Sequence, residues 1–178
     1  MFQQARQIHV TDNSIVEKTR KNMTEIERIQ DQLKRSFFGP SWHGPCVTEA
    51  LEGVSAELSS AASLKSAHSI RELVDHIVFW KTIVGRVLKN EKIDLTDEIE
   101  RDWSDIDDYS KDAWESAKAK LHSTHEHFSK IVQGLAETDL DREVMGVKNR
   151  FTAYQVIHGV IQHDLYHAGQ IMLLKKPV

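Results

Sequence analysis

Two histidines four residues apart, His163 and His167, stand near the end of the chain in QVIHGVIQHDLYHAGQIMLLKK, residues 155–176. On a helix, at roughly 100° per residue, side chains at i and i+4 lie one above the other. The same helix gathers Val156, Ile157, Val160, Ile161, Ala168, Ile171 and Leu174 on one apolar face, and both imidazoles fall inside that arc. Neutral imidazoles stacked in this way can hold one divalent metal, as the two histidines of a helical zinc motif do. The competing reading is a pair of core histidines hydrogen-bonded to backbone or carboxylate. A third ligand from elsewhere in the chain favours the metal.

His76 is the best third candidate, at the margin of the apolar stripe of a different predicted helix. Three neutral imidazoles with open positions form the arrangement of a catalytic zinc site, whereas closed structural sites usually contain Cys. Imidazole ligands also suit nickel, cobalt, iron or manganese. A rival cluster, HSTHEH, holds His122, His125 and His127; His125 lies near the inward seam, but polar neighbours make a solvated cluster the expectation. His158 points away from the apolar arc and is expected at the surface, while His9 and His68 lie near helix starts. Asp164 falls inside the apolar arc, where a carboxylate must be paired or hydrogen-bonded. It either orients a ligand imidazole or bonds a neighbouring helix. Gln170, beside His167, could donate to a metal-bound water or cap a polar pocket. Trp80, one turn after His76, is either a pocket wall or plain core.

These residues need long helices to position them. Asn13 or Ser14 can cap a first helix in which Ile15, Thr19, Met23, Ile26, Ile29 and Leu33 recur at helical spacing to about residue 36. FFGPSWHGPC, residues 37–46, breaks it with two Gly-Pro pairs. Its Trp42 and His43 are candidates for a pocket rim. A short helix is expected from Val47 to about Ser59. Ser69 caps a second long helix with the stripe Ile70, Leu73, Val74, Ile77, Trp80, Val84, Val87 and Leu88. Residues 90–109, NEKIDLTDEIERDWSDIDDY, are acidic and non-periodic. They read as a surface connection with some local helix, pinned by Ile99 and Trp103. Ser110 caps a third helix and Thr152 a fourth, with a turn at 138–141 and a linker at 142–151 between them. No segment reads as a strand. The expected fold is an all-α four-helix bundle of up-down helices, with a long connection and an extra short helix, forming one domain over residues 1–178.

Composition narrows the classes. Apolar residues make up 40% and charged residues 28%, ordinary for a globular protein. A net charge of −4 argues against a nucleic-acid partner that would need a basic surface. No apolar run approaches the roughly 20 residues that cross a bilayer, so no membrane partner is expected. A single cysteine, Cys46, excludes an intrachain disulfide and fits a reducing cytoplasm. It reads as a small inert thiol.

HDLYHAGQI resembles the H-x3-H-x-G-Q-I signature on the last helix of DinB-like proteins, the superfamily that includes YfiT-type metal-dependent hydrolases. LVDHIVFW, residues 73–80, resembles the second-helix segment that supplies that family's first histidine, and SWHGPC looks like a loop found in a subset of it. The resemblance covers most of the chain and implies a metal triad of His76, His163 and His167, none of them substituted. It implies a divalent metal, zinc or nickel first among the candidates, with open positions for water. Characterised relatives include S-transferases that use low-molecular-weight thiols such as bacillithiol and a mycothiol-dependent isomerase; others have no known activity. Homodimers are common among them.

Two classes of function follow. In the first, a metal held by three imidazoles makes a nucleophile of a thiol or a water, and the protein is an S-transferase or hydrolase acting on a small electrophile. In the second, the metal staples two helices of a non-catalytic, stress-associated bundle.

Overall fold

A computed structural model describes residues 23–61, 68–103, 106–144 and 150–176. The expected cap at Asn13 or Ser14, and His9, lie outside them. The chain forms α1 (Glu25–Phe38), α2 (Val47–Leu51), α3 (Ala56–Ser60), α4 (Ile70–Leu88), α5 (Leu95–Ile99), α6 (Lys111–Gln133), a 3-10 turn (Glu137–Asp141), a two-strand hairpin of β1 (Glu143–Val144) and β2 (Phe151–Thr152), and α7 (Ala153–Leu174). The architecture is the all-α bundle expected. Long helices α1, α6, α4 and α7 pack as a closed ring of neighbours, α1 on α6, α6 on α4, α4 on α7 and α7 on α1. That order sets the helix of His76 against the helix of His163 and His167.

The caps explain where the helices begin. Ser69 accepts from the Glu72 amide while Glu72 reaches back to the Ser69 N–H, a capping box that starts α4. Thr152 and Gln155 do the same for α7, and Ser110 accepts from the Ala113 amide at the start of α6. Thr24 and Glu27 form a further capping box, so the helix carrying Ile26, Ile29 and Leu33 begins at Glu25 rather than running through from residue 14. Two short helices replace the single one expected over 47–59. Gly53, at φ +73°, breaks it. Residues 142–151 are also not simply a linker, because Glu143 pairs with Thr152 and Val144 with Phe151 in antiparallel register.

The stripes read from the sequence meet in the interior. Ile70, Leu73, Val74 and Ile77 of α4 pack with Trp114, Ala117 and Leu121 of α6 and with Ala168, Ile171 and Leu174 of α7. Nearer the other end Leu33, Val84, Phe128, Ile157 and Ile161 form a second cluster. Each such large side chain contributes roughly 1.5–3 kcal/mol on burial. The Trp114 indole N–H donates to the Val54 carbonyl at 2.9 Å, tying the short-helix segment to α6. Cys46 is fully buried, its Sγ 3.3 Å from the Thr48 hydroxyl. Among the described residues no helix is long and apolar enough to cross a membrane.

One polar contact interrupts this core. Lys81 of α4 donates to the carboxylate of Asp164 of α7, and both side chains are almost wholly buried. Burial pushes the Lys81 ammonium pKa down and the Asp164 carboxyl pKa up, each against the pull of its partner. The Lys81 ammonium also lies 5.5 Å from the centre of the Phe37 ring. Of the two roles open to Asp164, the structure selects the bond to a neighbouring helix. Because removal of one partner strands a buried charge, Lys81→Met should cost about 3–5 kcal/mol in chemical denaturation, whereas Lys81→Met with Asp164→Leu should recover most of that loss. Equal costs for the single and double variants would show that the pair is not what the loss reports.

Candidate metal centre

His76 lies near the middle of α4, and His163 and His167 stand one turn apart on α7. Ring nitrogens of the three lie within 4.8 Å of one another, making a group able to hold a metal ion. The contacts run through Nε2: 2.9 Å from His163 to His76 and 3.0 Å from His163 to His167. His76 and His167 are buried and His163 half-buried, so the group opens towards solvent at His163.

The other nitrogens show why this arrangement suits a cation. Nδ1 of His76 lies 2.6 Å from Oδ1 of Asp102, and Nδ1 of His167 lies 2.6 Å from Oε1 of Gln170. A carboxylate and an amide oxygen can only accept, so both Nδ1 atoms carry the proton and both Nε2 atoms present lone pairs inward. His163 stands between them and has at most one Nε2 proton to offer two acceptors. At least one of the two short contacts therefore has no proton to bridge it, a gap that a shared cation would fill. Carboxylate and carbonyl partners behind ligand imidazoles are the usual support of metal-bound histidines.

Burial keeps the rings neutral. It pushes the His163 imidazole down to about 3 and the His167 imidazole down to about 4, with smaller contributions from the neighbouring imidazoles. Burial also lowers His76, opposed by the Asp102 carboxylate. Neutral imidazole is the form that binds metal.

Residues around the triad are only partly those expected. Gln170 is in place, with its Oε1 accepting from His167 Nδ1. Trp80 is half-buried, and its indole N–H donates to Oδ2 of Asp102 at 3.0 Å, so it is neither plain core nor simply a wall. Asp102 is the neighbour of the triad that sequence reasoning misses, and its signal is faint: one acidic residue in an acidic run, followed by Trp103. Trp103 stacks on His76 with ring centres 4.0 Å apart and planes at 11°, and it also stacks on His68 at 3.6 Å. Trp103 thus pins the connection as expected, whereas Ile99 is 51% exposed and pins nothing. Trp42 is fully exposed and His43 exposed, and no hydrogen bond or ring contact among the described residues joins either to the triad.

The rival cluster divides. His122 and His127 are exposed as expected, but His125 is buried and stacks on Phe37 at 3.9 Å, its Nδ1 without a hydrogen-bond partner. His158 is half-buried against Tyr154 rather than exposed. Among the described residues the triad is the one group of three or more such side chains placed to share an ion.

A family model described as the DinB superfamily matches residues 46–171, which contain every member of the triad and its supports. No curated protein and no solved structure matches the chain.

His125 supplies a pH test separate from the triad. Burial pushes it down to about 3, against about 6.5 in an unfolded chain, so the unfolded state binds the extra proton as pH falls below 6.5. Stability should therefore fall with pH from 6.5 towards 3. His125→Leu should reduce the loss between pH 7.5 and 5.5 by about 1 kcal/mol in urea titrations. An unchanged loss would place the protonation elsewhere.

Proposed function

This chain belongs to the DinB superfamily, and from that premise we propose that it is a divalent-metal-dependent enzyme, an S-transferase or hydrolase acting on a small electrophilic substrate. The single observation that carries the reading is the convergence of three Nε2 atoms, two of them on rings whose Nδ1 faces an acceptor oxygen. His76, His163 and His167 would hold the metal, zinc or nickel before manganese, iron or cobalt. A divalent ion there supplies Lewis acidity, which lowers the pKa of a coordinated water or thiol.

The chain's own residues do the rest. Asp102 and Gln170 keep two imidazoles in the metal-binding tautomer. Trp103 covers one face of His76 and keeps water from it. Tyr166, 64% exposed, lies edge-on to His167 with ring centres 5.0 Å apart, an exposed phenol beside one member of the triad. The one cysteine is buried against Thr48, so the chain offers no accessible thiol of its own. That supports a low-molecular-weight thiol as cosubstrate in the transferase version.

The second reading, a metal that staples α4 to α7 without catalysis, is favoured by the triad's division between two packed helices. The two separate by experiment. Elemental analysis of untagged protein should give about one equivalent of divalent metal, and His167→Ala should lose it. Zinc-, nickel- and manganese-loaded protein is then assayed with a panel of thiols and electrophiles. Turnover that disappears on chelation and in His167→Ala is the expected result. Thiols left unconsumed across the panel, with a melting temperature that falls on chelation, would establish the staple instead.

A further inference from the structure

We propose that Asp102 is a positioning residue for the triad, and that docking of its segment and loading of the site reinforce each other. The proposal rests on the metal reading above, and concerns a residue on the connection rather than on either ligand helix.

The connection between α4 and α6 is an acidic run of the kind that normally stays in water. Asp97, Glu100, Arg101 and Asp107 are indeed exposed. Glu98 is part-buried against Arg86, and Asp102 is more buried still, with 8% of its side chain exposed. A carboxylate taken this far from water needs partners, and α4 supplies two. Oδ1 accepts from His76 Nδ1, and Oδ2 accepts from Trp80 Nε1, which fixes the plane of the carboxylate itself. The next residue, Trp103, lies flat on the His76 ring. The ring is thus held at its edge by a charge and at its face by an indole, two restraints from consecutive residues.

Beside the segment lies a cavity of about 630 Å³, lined in part by Phe79, Thr82, Asp102, Trp103 and Ile106, so one flank of the connection is open rather than packed. A cation at Nε2 of His76 polarises the N–H at Nδ1 and strengthens its bond to the carboxylate. Reciprocally, the carboxylate makes Nε2 a stronger donor. The factor by which docking tightens the cation must equal the factor by which the cation tightens docking.

Three readouts test this on the full chain: zinc affinity by competition with a chromophoric chelator, the visible spectrum of the cobalt(II) form, and the rate of trypsin cleavage after the exposed Arg101. Asp102→Ala should weaken zinc about 10–100-fold and alter the cobalt spectrum. Asp102→Asn should recover part of the affinity, since its amide oxygen still accepts from His76 although its NH2 cannot accept from Trp80. Zinc should slow cleavage after Arg101 in the wild type and not in Asp102→Ala. Wild-type zinc affinity and cobalt spectrum in both variants, or cleavage indifferent to zinc in the wild type, would overturn the proposal while leaving the metal reading intact. A wild-type protein that takes up no zinc, nickel or cobalt would overturn both.

Discussion

The contact between α4 and α7 governs everything else at the site, and the buried Lys81–Asp164 pair fixes how those helices meet. Apolar packing alone tolerates some sliding of one helix along another. A slide of one turn, about 5.4 Å, would part this ammonium and carboxylate and leave each charged in an apolar interior. Asp164 is the immediate neighbour of His163, and Lys81 lies five residues beyond His76 in α4. The restraint therefore acts within about a turn of the imidazoles. The same pair carries a desolvation cost that apolar residues would avoid, so its value lies in register rather than in net stability.

Around that register the three imidazoles are not equivalent. His76 leans on a carboxylate, His167 on a neutral amide, and His163 faces the two others and the solvent. Were a metal held there, the charge behind His76 would strengthen that ring as a donor and lower the net charge of the centre. Burial keeps all three rings neutral at neutral pH, the form in which an imidazole can offer a lone pair to a metal.

Much of this was legible in the sequence, for identifiable reasons. Helix starts at Ser69, Ser110 and Thr152 were readable because caps are local chemistry. The triad was readable because i, i+4 spacing and apolar periodicity fix angles within a helix, and the family resemblance supplied which helices meet. Lys81 carried a signal that types alone conceal: it stands four residues after Ile77 and three before Val84, within the apolar stripe. A lysine and an aspartate each set in the apolar arc of their own helix point to one another. Asp102 had no such periodicity, since its burial is decided by where the connection folds back after the short helix α5. His125 was obscured by its polar neighbours, although its place near the seam already pointed inward.

The support behind His76 arrives on a loop, while the ligands themselves ride on the bundle. The placement of the His76 ring and the charge behind it are thus encoded in separate stretches of the gene. A few replacements in the connection would retune the electronics of the centre and leave the helical frame untouched. For anyone grafting new chemistry onto this scaffold, that stretch is the dial to turn first.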